Sequence, residues 1–238
     1  MIVLAIDTSD SRGSVAVLRD EAVLKAVAHD SQEDYSSWLL PAVRKCLLGS
    51  GFVMEDVGAY AVATGPGSFT GVRVALTTVK AWAEVYGKRI VAVSRLEALA
   101  IEASGGTPVV AAFANAQRGQ VFGAVYQRNG TGVIRLGEEM VVAPGKFIEA
   151  AAELAKGENM AWVSADAECV TCEAAWRARE VRGERVECVS SVRAPMIGRM
   201  GLAGYAEGRF TDALALDANY VRRPDAEIFW TGSAAHGR

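Results

Sequence analysis

The chain has 238 residues, with 51% hydrophobic and 22% charged residues, a balance typical of a folded protein that argues against extended disorder. Its net charge of −3 argues against a chain that coats nucleic acid by itself, because phosphate binding needs a basic surface. Four irregularly spaced cysteines do not suggest a disulfide framework. We find no secretory signal and no apolar stretch long enough to span a bilayer, so we expect a cytoplasmic protein without membrane contact.

The first half of the chain predicts a sheet with helices. Three short strand patterns joined by polar turns indicate a meander at residues 2–7, 14–18 and 22–27. Helices and strands then alternate: helix 31–48, with Ser31 as its predicted cap, strand 57–64, helix 72–86 and strand 89–93. Ser94 and Glu97 form a capping box that opens a further helix.

The strand pattern restarts after a turn-rich segment at Gly105–Pro108, the best candidate for a linker. The order of elements in the second half agrees with that in the first, although the sequences differ, which suggests a duplicated two-lobe architecture. We therefore predict an α/β protein in which each lobe is a mixed sheet with helices. The predicted parts are a first lobe at 1–105, a second lobe at 106–193, a helix at 194–209 that packs back on the first lobe, and a tail at 210–238.

Two polar segments of the first half could bind an anion or a nucleotide. The carboxylate and hydroxyls after the first strand could hold a metal-bound phosphate, or could simply stabilise a turn. The loop from Gly65 to Gly71 places glycines and hydroxyls before a helix, which suits an anion but equally suits a tight turn with Thr70 as the helix cap. The candidate anion-binding residues are Asp7, Thr8, Ser9, Gly65, Gly67, Ser68 and Thr70.

Metal and redox chemistry find little support in the sequence. The pair Cys169 and Cys172 could be redox-active or half of a zinc site, but packing on a helix is the simpler interpretation. His29 and His236 are the two histidines, and they cannot form a His-x-x-x-His metal pair. We therefore predict neither a metal site nor a catalytic residue. The polar loop 115–120 could line a cleft between the lobes or be a plain hairpin loop.

Apolar stripes on the two helices of the first half leave two interpretations open. An amphipathic helix normally packs its stripe against a sheet. Aromatic side chains are also favoured at the centres of protein interfaces. Phe69, within the glycine-rich loop, would be a contact residue if exposed.

Several motifs resemble one protein family when taken in chain order. They are Asp7-Thr-Ser, Ser14-Val-Ala-Val, Leu39-Leu-Pro, Gly65-Pro-Gly-Ser-Phe-Thr-Gly-Val-Arg73, Ser94-Arg-Leu-Glu-Ala-Leu-Ala and Asn219-Tyr-Val-Arg222. Together they look like the TsaB (YeaZ) family. The resemblance is dense over residues 1–100 and thin between 130 and 215, and its glycine-rich string is specific. It implies an actin/hexokinase-like (ASKHA) two-lobe fold.

The resemblance also implies a function. Members of this family take part in forming N6-threonylcarbamoyladenosine at position 37 of tRNAs that read ANN codons. It implies a non-catalytic subunit that binds a catalytic TsaD-type paralogue, with a TsaE-type ATPase joining the complex and tRNA contacted mainly through the partner. ATP and metal are then expected on partner subunits, with no cofactor on this chain, and a homodimer is conceivable. The alternative is a small-molecule kinase or ATPase of the same superfamily.

The resemblance implies that the chain binds its partner through the two helices of the first lobe. This favours an interface role for the apolar stripes on the helices 31–48 and 72–86. The predicted partner-binding residues are Tyr35, Trp38, Leu39, Val43, Phe69, Arg73, Val79 and Trp82. The catalytic paralogue is expected to carry a histidine pair on the first long helix, and this chain has none there. It also departs from many members in the loop 115–120, where Asn115, Gln117 and Gln120 replace charged residues.

Overall fold

The computed structural model describes residues 1–30 and 32–221; Ser31 and the predicted tail from residue 222 onwards lie outside the described residues. The first sheet has the order β3-β2-β1-β4-β5. Its strands are β1 (Ile2–Asp7), β2 (Ser14–Arg19), β3 (Ala22–Ala28), β4 (Ala59–Ala63) and β5 (Arg89–Val93). The first three strands are antiparallel, as the meander predicted, and β4 and β5 run parallel to β1.

Two helices, α1 (Tyr35–Leu48) and α2 (Phe69–Tyr86), cover one face of this sheet. Helix α1 begins four residues later than predicted, with Asp34 in place of Ser31 at the N-cap, because the Tyr35 hydroxyl is fixed by hydrogen bonds to the backbone of the β1–β2 turn. Helix α2 begins three residues earlier than predicted. Its cap is Ser68 rather than Thr70, because the Ser68 hydroxyl accepts a hydrogen bond from the Gly71 N–H.

The second lobe repeats this topology. After α3 (Arg95–Glu102), the second sheet has the order β10-β9-β6-β7-β8, which is the same sequence of pairings as in the first sheet. Its elements are β6 (Val109–Asn115), β7 (Val121–Asn129), β8 (Gly132–Val142), α4 (Pro144–Leu154), β9 (Met160–Ser164), α5 (Glu168–Thr171), α6 (Trp176–Val181) and β10 (Val186–Cys188). The segment between β9 and β10 thus contains two short helices, α5 and α6.

The last helix, α7 (Ala194–Ala206), packs against the opposite face of the first sheet, where it contacts β1, β2, β4 and β5. The central strands of the first sheet are therefore buried on both sides, which explains why β1 and β4 are continuous apolar runs rather than alternating ones.

The segment after α7 runs along the first lobe and ends between the lobes. Thr211 pairs with Ile90 at the edge of β5, and Leu216 is buried in the core beneath α1 and α2. The backbone N–H of Asn219 donates to the Thr64 carbonyl in the first lobe, while Val221 packs against the core of the second lobe. The end of the described chain thus touches both lobes.

Candidate functional site

The polar turn after β1 is buried and internally bonded. The Asp7 carboxylate accepts hydrogen bonds from the backbone N–H of Ser9, at 2.8 Å, and from the Ser9 hydroxyl. Thr8 donates its hydroxyl hydrogen to the Gly71 carbonyl at 2.6 Å. All three side chains are almost fully shielded from solvent. In this conformation their side chains bond within the turn and to the loop before α2, and Ser9 also lines a cleft between the lobes.

The loop Gly65–Gly71 packs directly on that turn. A Cβ atom at Gly67 would lie 2.0 Å from the Ser9 carbonyl oxygen, and one at Gly71 would lie 2.0 Å from the Thr8 carbonyl oxygen. The Ser68 N–H also donates to the Ser9 carbonyl at 2.6 Å. The glycines thus allow a close backbone approach, which favours the turn interpretation of this loop. Anion binding by the exposed residues Ser68 and Thr70 stays a prediction.

A buried arginine that the sequence did not single out completes this region. Arg95, the first residue of α3, ion-pairs with Asp10, and its Nε lies 3.9 Å from the Asp7 carboxylate. Burial lowers the pKa of Arg95, and the charge of Asp7 opposes that shift. The chain therefore supplies its own cation beside Asp7. More than 80 residues separate these positions in sequence, so no local pattern signals their pairing.

A cleft of about 860 Å³ lies between the lobes. The β1–β2 turn and the residues Ser68 and Phe69 line it from the first lobe, the loop 115–118 lines it from the second, and residues 219–221 form a further wall. The loop 115–120 is therefore both a hairpin loop and a cleft wall, so the two interpretations left open for it are compatible. Gln117 and Arg118 adopt positive φ angles of 60° and 54° there.

Three side chains stack at the start of α2. The guanidinium carbon of Arg73 lies 3.7 Å from the centre of the Phe69 ring, and the Phe69 and Tyr220 rings are 4.9 Å apart. The Arg73 Nε donates a hydrogen bond to the Tyr220 hydroxyl at 2.7 Å. This cluster attaches residue 220 to the first turn of α2, and the motif near the end of the chain thus meets the glycine-rich motif in space.

Half of the predicted partner-binding residues are in the core. Trp38, Leu39, Val43 and Val79 are buried between the helices and the first sheet, so they cannot contact a partner in this conformation. The stripes pack as amphipathic helices normally do.

The other predicted partner-binding residues are more accessible. Tyr35 and Trp82 are half-buried, and their rings contact His29 and Tyr60, respectively. Phe69 is half-buried and Arg73 is exposed. Sequence reasoning missed the exposed apolar side chains of the same two helices: Leu40, at 55% exposure, Leu48, at 58%, and Val85, at 75%. Their position off the apolar stripe was the signal that could have identified them.

Cys169 lies in α5 and is half-buried, and Cys172 directly follows α5 and is exposed. Burial raises the pKa of the Cys169 thiol, which reduces its thiolate fraction and does not favour redox chemistry. Among residues 1–30 and 32–221, no group of three or more His, Cys, Asp or Glu side chains is placed to hold a metal ion. In the same part of the chain, no helix combines the length and apolar character of a membrane span.

The chain matches known proteins in sequence. A family model described as TsaD, tRNA N6-adenosine threonylcarbamoyltransferase, matches residues 26–174. The Escherichia coli tRNA threonylcarbamoyladenosine biosynthesis protein TsaB is 33% identical over 167 residues, which cover 69% of this chain and 70% of that protein. The chain belongs to the TsaB (YeaZ) family. The resemblance predicted from the motifs is confirmed. TsaB of Bacillus subtilis is 36% identical over 131 residues, which span 55% of this chain and 57% of that protein, less than two thirds of its length.

Solved structures support the same family and fold. A Pseudomonas aeruginosa protein with similarity to peptidase YeaZ is 26% identical, with a TM-score of 0.71, over 93% of this chain and 99% of that one. A ROK hexokinase from Thermus thermophilus has a TM-score of 0.50 at 14% identity, over 87% of this chain and 100% of that one, which concerns the fold alone. The actin/hexokinase-like two-lobe fold predicted for this TsaB-family chain is confirmed.

Proposed function

We propose that this TsaB-family chain is a non-catalytic subunit of the complex that forms N6-threonylcarbamoyladenosine at position 37 of tRNAs reading ANN codons. The curated relatives named for threonylcarbamoyladenosine biosynthesis support this proposal. The family model named for the transferase TsaD matches more than half of the chain, which supports a partner that is a TsaD-type paralogue. A TsaE-type ATPase, carrying ATP, joins them, and tRNA contacts the complex mainly through the partner in the cytoplasm.

The observation that carries the proposal is a set of exposed apolar side chains on the paired helices α1 and α2. Leu40 and Leu48 project from α1, and Val85 projects from α2. Helices α1 and α2 contact each other on the same face of the first sheet, so these residues can form one apolar surface. Burying them against a second protein would stabilise the pair by roughly 25 cal/mol per Å² of apolar area.

The state of Asp7 supports a non-catalytic role. A kinase or ATPase of this fold class would need a carboxylate free to face a metal-bound phosphate. Here the Asp7 carboxylate is buried, accepts two hydrogen bonds from Ser9 and lies beside the buried cation of Arg95. These contacts make the ATPase alternative the weaker proposal.

Light scattering after size-exclusion chromatography tests the proposal. We expect the chain mixed with the TsaD-type protein of the same organism to elute as a one-to-one complex. Leu40→Asp should abolish that complex, since it places a charge in the apolar surface. Ile134→Asp is the matched control, because Ile134 on β8 has the same 55% exposure but lies in the second lobe. Absence of any complex for the unmodified chain would refute the proposal.

Light scattering on the chain alone also decides whether the same surface forms a homodimer. A mass twice that of the monomer, reduced to the monomer mass by Leu40→Asp, would show that self-pairing and hetero-pairing compete for α1 and α2. A parallel assay of ATP hydrolysis by the isolated chain tests the alternative. Turnover that depends on Asp7 would favour the enzyme.

A further inference from the structure

Arg73 is exposed to solvent, yet its side chain is held in one position. The face of its guanidinium group lies against the Phe69 ring, with 3.7 Å from Cζ to the ring centre, and the Tyr220 ring lies 5.6 Å away. Its Nε hydrogen is bonded to the Tyr220 hydroxyl. An arginine on a helix surface normally samples many rotamers, so these three contacts remove freedom that it would otherwise have.

The remaining part of this guanidinium group faces solvent. Within residues 1–30 and 32–221, no carboxylate lies within 4.0 Å of Arg73. By contrast, the buried arginines Arg95 and Arg193 each have a carboxylate partner. The two terminal nitrogens of Arg73 therefore form a fixed fork of donors that no acid of the described chain uses. Such a fork matches the two oxygens of a carboxylate.

The position of Arg73 connects it to the apolar surface of α1 and α2. Thr77 and Ala81 are exposed and follow Arg73 at four-residue spacing, so each lies next to the one before it on the surface of α2. This row winds around α2 as it continues to Val85, whose side chain is 75% exposed, while the half-buried Lys80 and the exposed Glu84 lie more directly along the helix from Arg73. The guanidinium therefore stands at one end of a helix surface that carries small, apolar and charged residues.

We propose that Arg73 is the anchor of the partner surface and binds an aspartate or glutamate side chain of the partner protein. The inference rests on the proposed function, since it assigns a chemistry to one end of that interface. Holding a long side chain at an interface normally costs the rotamer freedom that the side chain has in the free protein. Phe69 and Tyr220 have already restricted Arg73, so less of this entropy remains to be lost on binding.

A protein carboxylate fits the surroundings better than a nucleic-acid phosphate does. Along α2, Arg73 is followed by Thr77 and Ala81, and Lys80 and Glu84 lie further along the same side of the helix. One half-buried lysine followed by an exposed carboxylate is not the row of cations that would follow a phosphate backbone. Aromatic residues and arginine next to apolar side chains are the composition found at the centres of protein interfaces. Arginine pairs with carboxylates there through two parallel hydrogen bonds.

Calorimetric titration of the variants with the TsaD-type protein tests the inference. We expect Arg73→Met to raise the Kd by at least about 10-fold, and Arg73→Lys to lose most of the same affinity, because lysine keeps the charge without the planar fork. Tyr220→Phe, which removes only the hydroxyl that holds Nε, should have a smaller effect of about 2- to 5-fold. Arg177→Met is the matched control, since Arg177 is an exposed arginine on α6 in the second lobe.

A double-mutant cycle identifies the group that Arg73 binds. Substituting the exposed acidic residues of the partner one at a time should give coupling with Arg73→Met at one position and additivity at the others. Unchanged affinity of Arg73→Met, in a complex that the unmodified chain does form, would overturn the inference and leave the proposed function standing. Loss of tRNA binding without loss of partner binding would also overturn it, because the guanidinium would then contact phosphate. No complex for the unmodified chain would refute both.

Discussion

Gly67 and Gly71 are needed for the space they leave rather than for their backbone angles. Neither has a positive φ angle, unlike the adjacent Gly65 at 103°. The carbonyl oxygens of Ser9 and Thr8 occupy the positions where a Cβ atom would lie. Since both neighbours are backbone atoms, they cannot rotate away as a side-chain end could. A single methyl group must therefore displace the loop or the turn.

Gly67→Ala should destabilise the chain by about 2–3 kcal/mol or more, because it overpacks two backbone segments. For a chain of this size we expect the Tm to fall by about 5 °C or more in thermal unfolding. Gly106→Ala is the control: no atom lies within 4 Å of its added Cβ, and its φ is not positive. Equal Tm values for the two variants would contradict the close contact with Ser9.

Cys46 should be unreactive in the folded chain. It lies on the buried face of α1 against the first sheet, and burial raises the pKa of its thiol to about 11. Its thiolate fraction at neutral pH is then lower than that of an ordinary cysteine by on the order of 100-fold. Mass spectrometry after maleimide treatment should show modification at the exposed Cys172 and Cys188 long before Cys46. In urea the three should react alike, and early labelling of Cys46 without urea would show that the core opens readily.

Helix α7 illustrates how one element depends on small residues at defined spacing. Gly198, Gly201 and Gly204 lie on the side that meets the first sheet, and a Cβ on any of them would come within 3.0 Å of a side chain of that sheet. The three glycines allow the helix axis to lie close to the strands. Glycine costs a helix about 1 kcal/mol per residue relative to alanine, so close packing on the sheet must offset that cost.

Gly201→Val should destabilise the chain by several times more than Ala203→Val. A Cβ at Gly201 would lie 2.3 Å from the Ala61 Cβ of β4, whereas Ala203 is exposed on the same helix. Both substitutions introduce the same β-branched residue, but helix propensity favours the replacement of glycine and disfavours that of alanine. A larger loss for Gly201→Val in urea unfolding therefore reports the contact with the sheet. We expect a difference of about 2 kcal/mol or more from overpacking. Similar free energies for the two variants would mean that α7 can shift without cost.

Sequence periodicity predicted most elements but not all their environments. It identified the strands of both sheets and the apolar stripes of α1 and α2, because period and turn chemistry are local properties. It could not decide whether Leu39 and Val43 face a sheet or a partner, since both surfaces are apolar. Nor could it pair Arg95 with Asp10, because that contact depends on the assembled tertiary structure.

At the level of the whole molecule, residues from three distant segments meet where the lobes join. The Glu139 carboxylate of β8 accepts hydrogen bonds from the Ser94 hydroxyl and from the Asn219 side chain. Glu97 is partly buried nearby, and burial is the main cause of its raised pKa, with Arg209 opposing the shift and Glu139 adding to it. The contact between the lobes therefore includes a carboxyl group that is costly to ionise.

Glu97 should make stability decrease as the pH rises from acid towards neutral. Because its pKa in the folded chain lies above the unfolded value of 4.5, the folded state holds the proton more tightly between these two values. The stabilisation that Glu97 gives the folded chain is complete below the unfolded pKa of its carboxyl group. This stabilisation is lost as the pH rises through the pKa that the same group has in the folded chain. Glu97→Gln should thus raise the Tm relative to the unmodified chain at pH 7, and the difference should shrink near pH 4. A Tm difference of the opposite sign at pH 7 would contradict the burial of this group.

The packing of α7 on the first sheet also has a consequence for the order of folding during synthesis. One face of that sheet, with Val3, Leu18 and Val91, is covered by a helix that is translated only after the entire second lobe. At ordinary elongation rates this delay is roughly 5 to 20 s. The second lobe, whose elements α3 to β10 are contiguous, can complete its core first. The first lobe, although it is translated first, would then complete its fold last. Until α7 is translated, the apolar face of its sheet would be accessible to ribosome-associated chaperones.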